Sequence, residues 1–310
     1  MIISRTPLRI TLGGGSTDLP EYYSKFGGFF ISATIDKYIY IAMNNRFEKE
    51  LRIVYSELEL TSGNLSIKHP IIKELFKKFS IWQNTEFVTF ADLPGSSGLG
   101  SSGAFTVGAI KAINPEWGAE KLAESAYDIE RNKLNRSVGK QDQYCAAFGG
   151  LRVYSIDTKG AVSSEILVFP ELADKLMLLY TSNIRDSESI LSKVKTSESQ
   201  MKQIHELGKK SAVTILNKDW TKLGGLMDEH WEVKKTIASD MSTLKINNIY
   251  TKCKSLGAYG GKLIGAGTGG FLMLVVPDDK VKKNIMSSGI VEQNCHVPFK
   301  FTLSGSEVLV

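Results

Sequence analysis

A glycine- and serine-rich stretch at residues 93–104 carries the clearest chemical signal in this sequence of 310 residues. It reads LPGSSGLGSSGA, follows a predicted strand over 86–92 and leads into a predicted helix over 104–113. Glycine lets the main chain approach a ligand closely, and the first amides of a helix have no acceptor within that helix. Because the helix dipole also favours negative charge there, the stretch predicts a phosphate-binding loop.

Two well-known phosphate-binding motifs match this loop only in part. Residues 95–100 give G-x-x-x-x-G, but Ser101 and Ser102 stand where a Walker loop has lysine followed by serine or threonine. Residues 98–103 give G-x-G-x-x-G, but the sequence up to 135 reads as further helix, without a second strand that ends in an acidic residue. A plain strand-to-helix turn stays open as the alternative for the loop alone.

Two further glycine runs lie far from the first. Residues 13–15 are glycines that follow a predicted strand, and Ser-Thr-Asp at 16–18 could cap a helix. Residues 265–270, GAGTGG, precede a predicted strand over 271–276, so they cannot form a dinucleotide loop, which leads into a helix. Taken singly, either run could mark only a tight turn.

Composition limits the class of protein. Hydrophobic residues make up 42% and charged residues 23% of the chain, which is ordinary for a globular protein with a sizeable core. The net charge of +5 is scattered, which suits anionic small substrates better than nucleic acid. The three cysteines and four histidines show no disulfide or zinc spacing. With no signal core and no run long enough to span a bilayer, we expect a cytoplasmic protein without membrane or nucleic-acid partners.

The order of the predicted elements indicates an α+β fold in two parts, because strands and helices alternate irregularly. Pro170 and the polar turn after it set the expected boundary, with a nucleotide-binding and catalytic domain at 1–170 and a second domain at 171–310. Other predicted elements are separate strands over 29–35 and 38–44, helices over 118–135 and 142–148, and a closing strand pair over 297–303 and 307–310.

Together the three glycine-rich segments resemble the three motifs of the GHMP kinase superfamily, in the same order. They read PLRITLGGGSTD at 7–18, PGSSGLGSSGA at 94–104 and KLIGAGTGG at 262–270. The second departs from the family form P-x-x-x-G-L-G-S-S-A at Gly103, where alanine is commoner. The resemblance covers essentially the whole chain. It implies a two-domain fold, with an N-terminal domain like domain 2 of ribosomal protein S5 and a ferredoxin-like C-terminal domain.

The resemblance also implies roles for individual residues. Asp142, in the GKQDQY segment, matches the catalytic aspartate that orients the acceptor hydroxyl and accepts its proton. Arg9 matches an arginine that stabilises charge on the transferred phosphoryl group. Asp142 could instead only cap the next helix, and Arg9 could be a surface arginine. The expected nucleotide-binding residues are Pro94, Gly95, Ser96, Ser97, Gly98, Leu99, Gly100, Ser101, Ser102 and Gly103.

For the metal and the acceptor, the family motifs supply further expectations. Ser102 and Glu130 match the pair that holds Mg²⁺, whose other ligands are phosphate oxygens and water. Glu130 could instead be an ordinary surface charge, and Asp18 only a helix cap. Expected substrate-binding residues are Gly14, Gly15, Ser16, Thr17, Asp18, Gly267 and Gly269, with Thr17 and Asp18 bonding sugar hydroxyls. Candidates for binding a phosphate on the sugar are Lys25, Lys140, Arg185 and Lys234, and the sequence does not select among them.

Within the superfamily the resemblance is to the branch of sugar 1-kinases, through the triple glycine and the segments HWEVKK at 230–235 and GGKLIGAG at 260–267. It implies that ATP, with Mg²⁺, phosphorylates the anomeric hydroxyl of D-glycero-D-manno-heptose 7-phosphate. The 1,7-bisphosphate would serve nucleotide-heptose synthesis, and the enzyme would be a monomer or homodimer. Alternatives are a galactose or fucose kinase, an NAD-dependent oxidoreductase using 98–103, and a catalytically inactive binding regulator.

Overall fold

The computed structural model describes residues 1–181, 196–237, 242–265, 269–292 and 295–310. Its strands are Ile2–Gly13 (β1), Gly28–Asn45 (β2), Leu51–Val54 (β3), Leu58–Thr61 (β4), Thr85–Ala91 (β5), Leu151–Ile156 (β6), Val162–Leu167 (β7), Leu176–Tyr180 (β8), Gly260–Leu263 (β9), Phe271–Val275 (β10), His296–Val297 (β11) and Glu307–Val308 (β12). Its α-helices are Pro20–Phe26 (α1), Pro70–Lys78 (α2), Ser101–Ile113 (α3), Ala119–Tyr127 (α4), Gln141–Phe148 (α5), Glu171–Asp174 (α6), Glu198–Leu216 (α7), Trp220–Ile237 (α8), Leu244–Ser255 (α9) and Asp279–Ser287 (α10). No helix in these ranges is long and apolar enough to cross a lipid bilayer.

The strands form two sheets, and the prediction of a two-part α+β fold is confirmed. The larger sheet has the order β12-β1-β2-β5-β3-β4, and β6 and β7 extend it from the other half of β2. The smaller sheet has the antiparallel order β11-β8-β10-β9. After the loop at 93–104 the chain continues as α3 and α4 rather than as a parallel strand, so the β-α-β unit of a nicotinamide-binding site is absent from residues 85–156.

Strand β1 lies at the centre of the first half and is covered on both faces. Its last eight residues are all buried, so the side chains on both of its faces are covered by other elements. On one face α3 approaches closely enough for the Ser4 hydroxyl to donate to the carbonyl of Gly108 at 2.7 Å. On the other face Gly208 of α7 packs against Gly13 and Gly14. The position of β1 therefore fixes every side chain that it contributes to the cleft at its end.

Three predicted elements differ from the structure. The strands expected over 29–35 and 38–44 form one strand, because Asp36 and Lys37 make a bulge opposite Pro7 and Leu8 instead of a turn. The helix expected over 118–135 is α-helical only to Tyr127, and a π-helical turn follows at Asp128–Lys133. The closing strand pair was wrong. β11 joins β8 and β12 joins β1, so the two segments lie in different sheets.

Two hydrophobic cores meet at the smaller sheet. Along β8 and β10, Leu178 and Met273 face the core shared with the first half, whereas Leu179 and Leu272 face a second core beneath α8 and α9. This alternation follows from the two-residue period of a strand that is buried on both faces. The division at 170/171 stays a prediction, and the larger core contains residues from both sides of it.

The close contact between α7 and β1 predicts that alanine substitution of two helix glycines changes the unfolding free energy in opposite directions. A Cβ on Gly208 would lie 2.7 Å from the Cα of Gly14, so Gly208→Ala should push α7 off the sheet and cost about 1–3 kcal/mol of unfolding free energy. Gly225 of α8 has no atom within 4 Å of the equivalent position, and Gly225→Ala should stabilise the protein by about 0.5–1 kcal/mol. Urea denaturation measures both; an equal effect of the two changes would contradict the packing described.

Candidate active site

A cleft of about 970 Å³ lies between the two halves of the chain and receives residues from both. Its walls include the phosphate-binding loop, the end of β1, the start of α5 and the basic residues of α8 and β9. A cleft of this size accommodates a nucleotide and a small acceptor together. Most of the sequence-predicted site residues line it, although they come from segments more than 100 residues apart.

Arg9 and Asp142 form an ion pair in this cleft. The guanidinium donates from Nε to Asp142 Oδ1 at 2.8 Å, and its Nη2 lies 2.6 Å from the same oxygen. Nη1 donates to the carbonyl of Gly98 at 2.5 Å. Arg9 is 6% exposed, whereas the Asp142 side chain remains 32% exposed, so the carboxylate can still reach a ligand. One buried guanidinium thus connects β1, the phosphate-binding loop and α5.

Seven of the ten expected nucleotide-binding residues line the cleft. They are Pro94, Gly95, Ser96, Gly98, Gly100, Ser101 and Ser102. Gly98 has a φ of +84°, and a Cβ there would lie 2.3 Å from the carbonyl oxygen of Ile264, so this position requires glycine. α3 begins at Ser101, which turns its first amides towards the loop.

The other three expected residues, Ser97, Leu99 and Gly103, do not line the cleft, and their part in nucleotide binding stays a prediction. Leu99 is part of the hydrophobic core, and the side chain of Ser97 is completely buried. Gly103 faces α5, where a Cβ would lie 2.6 Å from the Cβ of Asp142. The departure from the family motif at Gly103 therefore has a steric cause in this chain.

Glu130 lies on the π-helical turn and is fully buried at the edge of the cleft. The Ser102 hydroxyl donates to its Oε2, and the Gln143 amide donates to Oε1 at 2.8 Å. Arg136 lies 3.6 Å from Oε2 and also donates to the Ser102 hydroxyl at 3.2 Å. Burial raises the pKa of Glu130, and the hydrogen bonds from Ser102 and Gln143 with the charge of Arg136 oppose that rise. The alternative that Glu130 is a surface charge is wrong.

Ser102 and Glu130 offer the oxygen ligands that Mg²⁺ prefers. The described residues contain no cluster of three or more His, Cys, Asp or Glu side chains suited to a metal ion. Mg²⁺ does not need one when phosphate oxygens and water supply its remaining ligands. The hydroxyl and carboxylate, which touch each other beside the start of α3, therefore fit a nucleotide-bound Mg²⁺.

Asp18 is a second buried carboxylate, close enough to Asp142 to interact with its charge. Its Oδ2 accepts from the backbone amide of Gln141 at 2.9 Å, and its Oδ1 accepts from the amide of Ser16 at 3.1 Å. Burial raises the pKa of the Asp18 carboxyl; the Gln141 hydrogen bond opposes this and the charge of Asp142 adds to it. Asp18 does not cap α1, which begins after Leu19 without a side-chain cap, and its carboxylate instead accepts the first backbone amide of α5. Gly15, Ser16 and Asp18 line the cleft together.

Of the other expected substrate-binding residues, those that the structure describes do not line the cleft. The Thr17 hydroxyl lies 2.6 Å from the carbonyl of Phe29, 2.8 Å from that of Gly14, and accepts from the Phe29 amide. Because Thr17 is completely buried, it holds the loop at 13–18 to β2 instead of bonding a sugar, which corrects that expectation, and Gly14 packs in the same contact. Gly269 is also buried away from the cleft, and Gly267 lies outside the described residues.

Three basic residues from the second half line the cleft: His230 and Lys234 of α8 and Lys262 of β9. Burial and the charge of Arg9 lower the pKa of Lys234 to about 8. Burial and the charges of Lys234 and Arg9 lower the pKa of Lys262 well below its ordinary value. Sequence reasoning named Lys234 as one of four candidates and missed Lys262, although both belong to the segments quoted for the sugar kinase branch.

Two of the remaining candidates for a substrate phosphate, Lys25 and Lys140, lie outside the cleft. Lys140 pairs with Glu124 at 2.5 Å and donates to the carbonyl of Gly160 at 2.7 Å, so its charge is already used. Lys25 is exposed on α1, and neither residue lines the cleft. Arg185 lies outside the described residues.

Aromatic side chains form another wall of the cleft. Tyr55 and His69 pack edge to face with ring centroids 4.8 Å apart, and His69 lies 5.1 Å from Phe105. Burial, and then the charge of Arg136, lower the pKa of His69, which favours the neutral ring. A planar, largely apolar wall beside the first turn of α3 suits a nucleobase. This wall could not be predicted from the sequence, because its residues lie in three segments that only the fold brings together.

Comparison with known families agrees with the sequence motifs. The family of GHMP kinases N terminal domains matches residues 64–150, which contain the phosphate-binding loop and Asp142. The family of GHMP kinases C terminal domains matches residues 211–288, which contain Lys234 and Lys262. The chain belongs to the GHMP kinase family.

Individual relatives and structures cover nearly the whole chain. The D-glycero-alpha-D-manno-heptose 7-phosphate kinase of Campylobacter jejuni is 32% identical over 98% of this chain and 97% of its own length. An L-fucokinase/L-fucose-1-P guanylyltransferase of Bacteroides fragilis is 24% identical over 92% of this chain, which spans only 35% of that protein. A crystal structure of a D-glycero-D-manno-heptose 1-phosphate kinase from Bacteroides thetaiotaomicron superposes with a TM-score of 0.81 at 24% identity, covering 100% of this chain and 99% of the other.

The contact between Gly103 and Asp142 predicts a large kinetic effect of one methyl group. Gly103→Ala should shift α5 and the Asp142 carboxylate, and a displacement of about 1 Å can lower turnover roughly 10²-fold. Gly118→Ala, at a helix start with no atom within 4 Å, is the matched control and should leave turnover unchanged. Steady-state kinetics and thermal denaturation of both variants provide the measurement. Normal turnover of Gly103→Ala would show that the position tolerates the methyl group.

Proposed function

We propose that this chain is an ATP-dependent kinase that phosphorylates the anomeric hydroxyl of D-glycero-D-manno-heptose 7-phosphate, giving the 1,7-bisphosphate. The observation that carries the proposal is the Arg9–Asp142 ion pair, which lies between the phosphate-binding loop and Asp18. The 32% identity to the Campylobacter jejuni heptose 7-phosphate kinase over nearly the full length of both proteins supports this choice of sugar.

The nucleotide binds along the first half of the chain in this proposal. The amides of the loop and of the first turn of α3 receive the phosphates, and the aromatic wall at Tyr55 and His69 holds the base. Ser102 and Glu130 would hold Mg²⁺, and the ion would supply positive charge to neutralise the phosphates. Residues 1–170 would thus supply nucleotide binding and catalysis, and residues 171–310 would close the acceptor side.

Asp142 acts on the acceptor hydroxyl. Its carboxylate orients the hydroxyl oxygen towards the γ-phosphorus and takes the proton as the new O–P bond forms and the bond to the bridging oxygen breaks, releasing ADP. Arg9 keeps the carboxylate in place and stabilises negative charge on the transferred group. Asp18, Ser16 and Gly15 bind sugar hydroxyls on the far side of Asp142. Catalysis of phosphoryl transfer depends mainly on such positioning.

A panel of sugars with ATP tests the choice of substrate. Phosphorus NMR should detect a new anomeric phosphate on D-glycero-D-manno-heptose 7-phosphate. The second candidate is a kinase for an unphosphorylated hexose, which the 24% identity to the L-fucokinase relative favours. Turnover of fucose or galactose together with none of the heptose 7-phosphate would refute the first proposal and support the second.

Replacement of the Asp142 carboxylate tests its role directly. Asp142→Asn should lower kcat by about 10²–10⁴-fold, because the amide cannot accept the proton of the hydroxyl. Affinity for ATP should stay similar, since the loop and the aromatic wall are unchanged. Glu307→Gln is the matched control, because it breaks another β1 ion pair, with Arg5, away from the cleft. Turnover of Asp142→Asn within a factor of a few of the parent would remove the residue from this role.

The Mg²⁺ assignment predicts a shift in metal requirement. Glu130→Gln should raise the Mg²⁺ concentration for half-maximal rate about tenfold or more, because a charged oxygen ligand is lost. Calorimetric binding of ATP in EDTA should be unchanged, which separates loss of the metal from loss of the nucleotide site. Glu124→Gln, outside the cleft, serves as the control. An unaltered Mg²⁺ dependence of Glu130→Gln would argue against the assignment.

A further inference from the structure

Lys234 and Lys262 line the cleft without a carboxylate partner among the described residues. Lys262 is 2% exposed, and within the part of the chain that the structure describes its side-chain nitrogen has one hydrogen-bond partner, Nδ1 of His230 at 3.3 Å. Lys234 is partly buried and donates to the carbonyl of Gly265 at 2.8 Å. Lysines are almost never fully buried unless they are paired, so two such groups beside one cavity need an explanation.

Placing the two lysines in one cavity increases the free energy needed to bury their positive charges. Each is a cation in a poorly solvated place, and each lies within the electrostatic influence of the other or of Arg9. An uncompensated buried charge destabilises a fold, whereas a hydrophobic side chain of similar volume does not. Burial, and then the charges of Lys262 and Lys234, lower the pKa of His230 well below its ordinary value, so its ring is neutral and adds no compensating charge.

His230 positions Lys262 for a ligand. A protonated Lys262 can only donate in this hydrogen bond, and in that state Nδ1 accepts and the neutral ring carries its proton on Nε2. That Nε2 group is buried and has no partner. The ammonium therefore keeps two of its three donor positions available, because a single hydrogen bond satisfies only one.

The contacts of Lys234 indicate which ligand group the two lysines face. Lys234 donates to the carbonyl of Gly265, whose backbone lies against Gly98 of the phosphate-binding loop, and the charge of Asp18 also acts on it. Arg9, the nearest other cation of the cleft, is already bonded to Asp142 and Gly98. The unused positive charge of the cleft thus lies on the side where Asp18 faces the acceptor, whereas Arg136 lies with Ser102 and Glu130 on the nucleotide side.

We infer that Lys234 and Lys262 form the subsite for the phosphate group that the sugar acceptor already carries, with His230 as a positioning residue. This inference rests on the proposed function, because it requires a phosphorylated sugar as the acceptor. A phosphate monoester brings close to two negative charges and several strong acceptor oxygens, enough to pair with both ammonium groups. The subsite makes the enzyme select a sugar phosphate over the free sugar, by leaving two buried cations unpaired when the phosphate is missing.

Substitution of each lysine by methionine tests the subsite. With ATP saturating, Lys262→Met and Lys234→Met should each raise KM for D-glycero-D-manno-heptose 7-phosphate by about 10–100-fold, since one charge-assisted hydrogen-bond partner is lost. Their KM for ATP and their turnover of the unphosphorylated heptose should match the parent enzyme. Their melting temperatures should be equal or higher, because a buried charge has been removed. Lys235→Met, next to Lys234 but paired with Glu232 outside the cleft, is the control and should change none of these values.

Two outcomes would overturn the subsite. If the variants lose kcat equally with the phosphorylated and the free heptose, or if KM for ATP rises, the lysines serve the transferred phosphoryl group. If KM for the phosphorylated sugar does not change, they contact no anion during the reaction.

A binding experiment keeps the test independent of the proposed function. Should the parent enzyme phosphorylate neither heptose, calorimetric titration with D-mannose 6-phosphate and with mannose still probes the site. Binding of the phosphorylated sugar that is lost in both lysine variants would support the subsite and refute only the heptose substrate. Equal binding of the two sugars to the parent enzyme, or equal binding of D-mannose 6-phosphate to parent and variants, would refute the subsite itself.

Discussion

The cleft depends on the burial of one guanidinium group. Arginine stays charged at any relevant pH, so a buried Arg9 must have acceptors that are fixed in place. Its acceptors are the Asp142 carboxylate and the Gly98 carbonyl, which belong to the helix that carries the catalytic candidate and to the phosphate-binding loop. The need to satisfy Arg9 therefore positions both before any ligand arrives. Strand β1, covered on both faces, supplies the rigid support that this arrangement needs.

Charges in the cleft are separated by function. Glu130 is surrounded by donors on the nucleotide side, whereas Asp18 and the two lysines lie on the acceptor side. Each of these groups is wholly or partly buried. Burial raises the pKa of the two carboxyl groups and lowers the pKa of the two lysines, and both changes favour the uncharged form. A fold selected for stability alone would replace them by apolar residues. Their retention indicates that the two cores around the smaller sheet provide stability that the cleft then uses.

The fold class could be predicted from the sequence, because glycine patterns report backbone requirements directly. Arg9 and Asp142 were named as separate catalytic candidates through the family resemblance, and the ion pair between them was not predicted. Gly98 must approach Ile264, and such positions are readable as motifs. Thr17 was misassigned because a hydroxyl in a motif carries no sign of whether it bonds a ligand or, as here, the backbone of Phe29. Lys262 was missed because nothing in its local sequence shows that β9 is buried beside His230. The roles of Thr17 and Lys262 both depend on contacts between elements that are distant in the sequence.

The absence of a Walker lysine from the loop has a consequence for how the site is built. A Walker loop carries its cation within the motif, so phosphate binding and charge neutralisation lie on one segment. Here the loop itself carries no cation: Arg9 of β1 and Arg136 lie on the nucleotide side, and the acceptor-side cations Lys234 and Lys262 come from the second half. The cleft is therefore complete only when the smaller sheet has packed against the first half, through the core that residues such as Leu178 and Met273 share with it. Assembly of the site and formation of that core are consequently one event, and an N-terminal half alone would hold a phosphate loop without its acceptor-side charges.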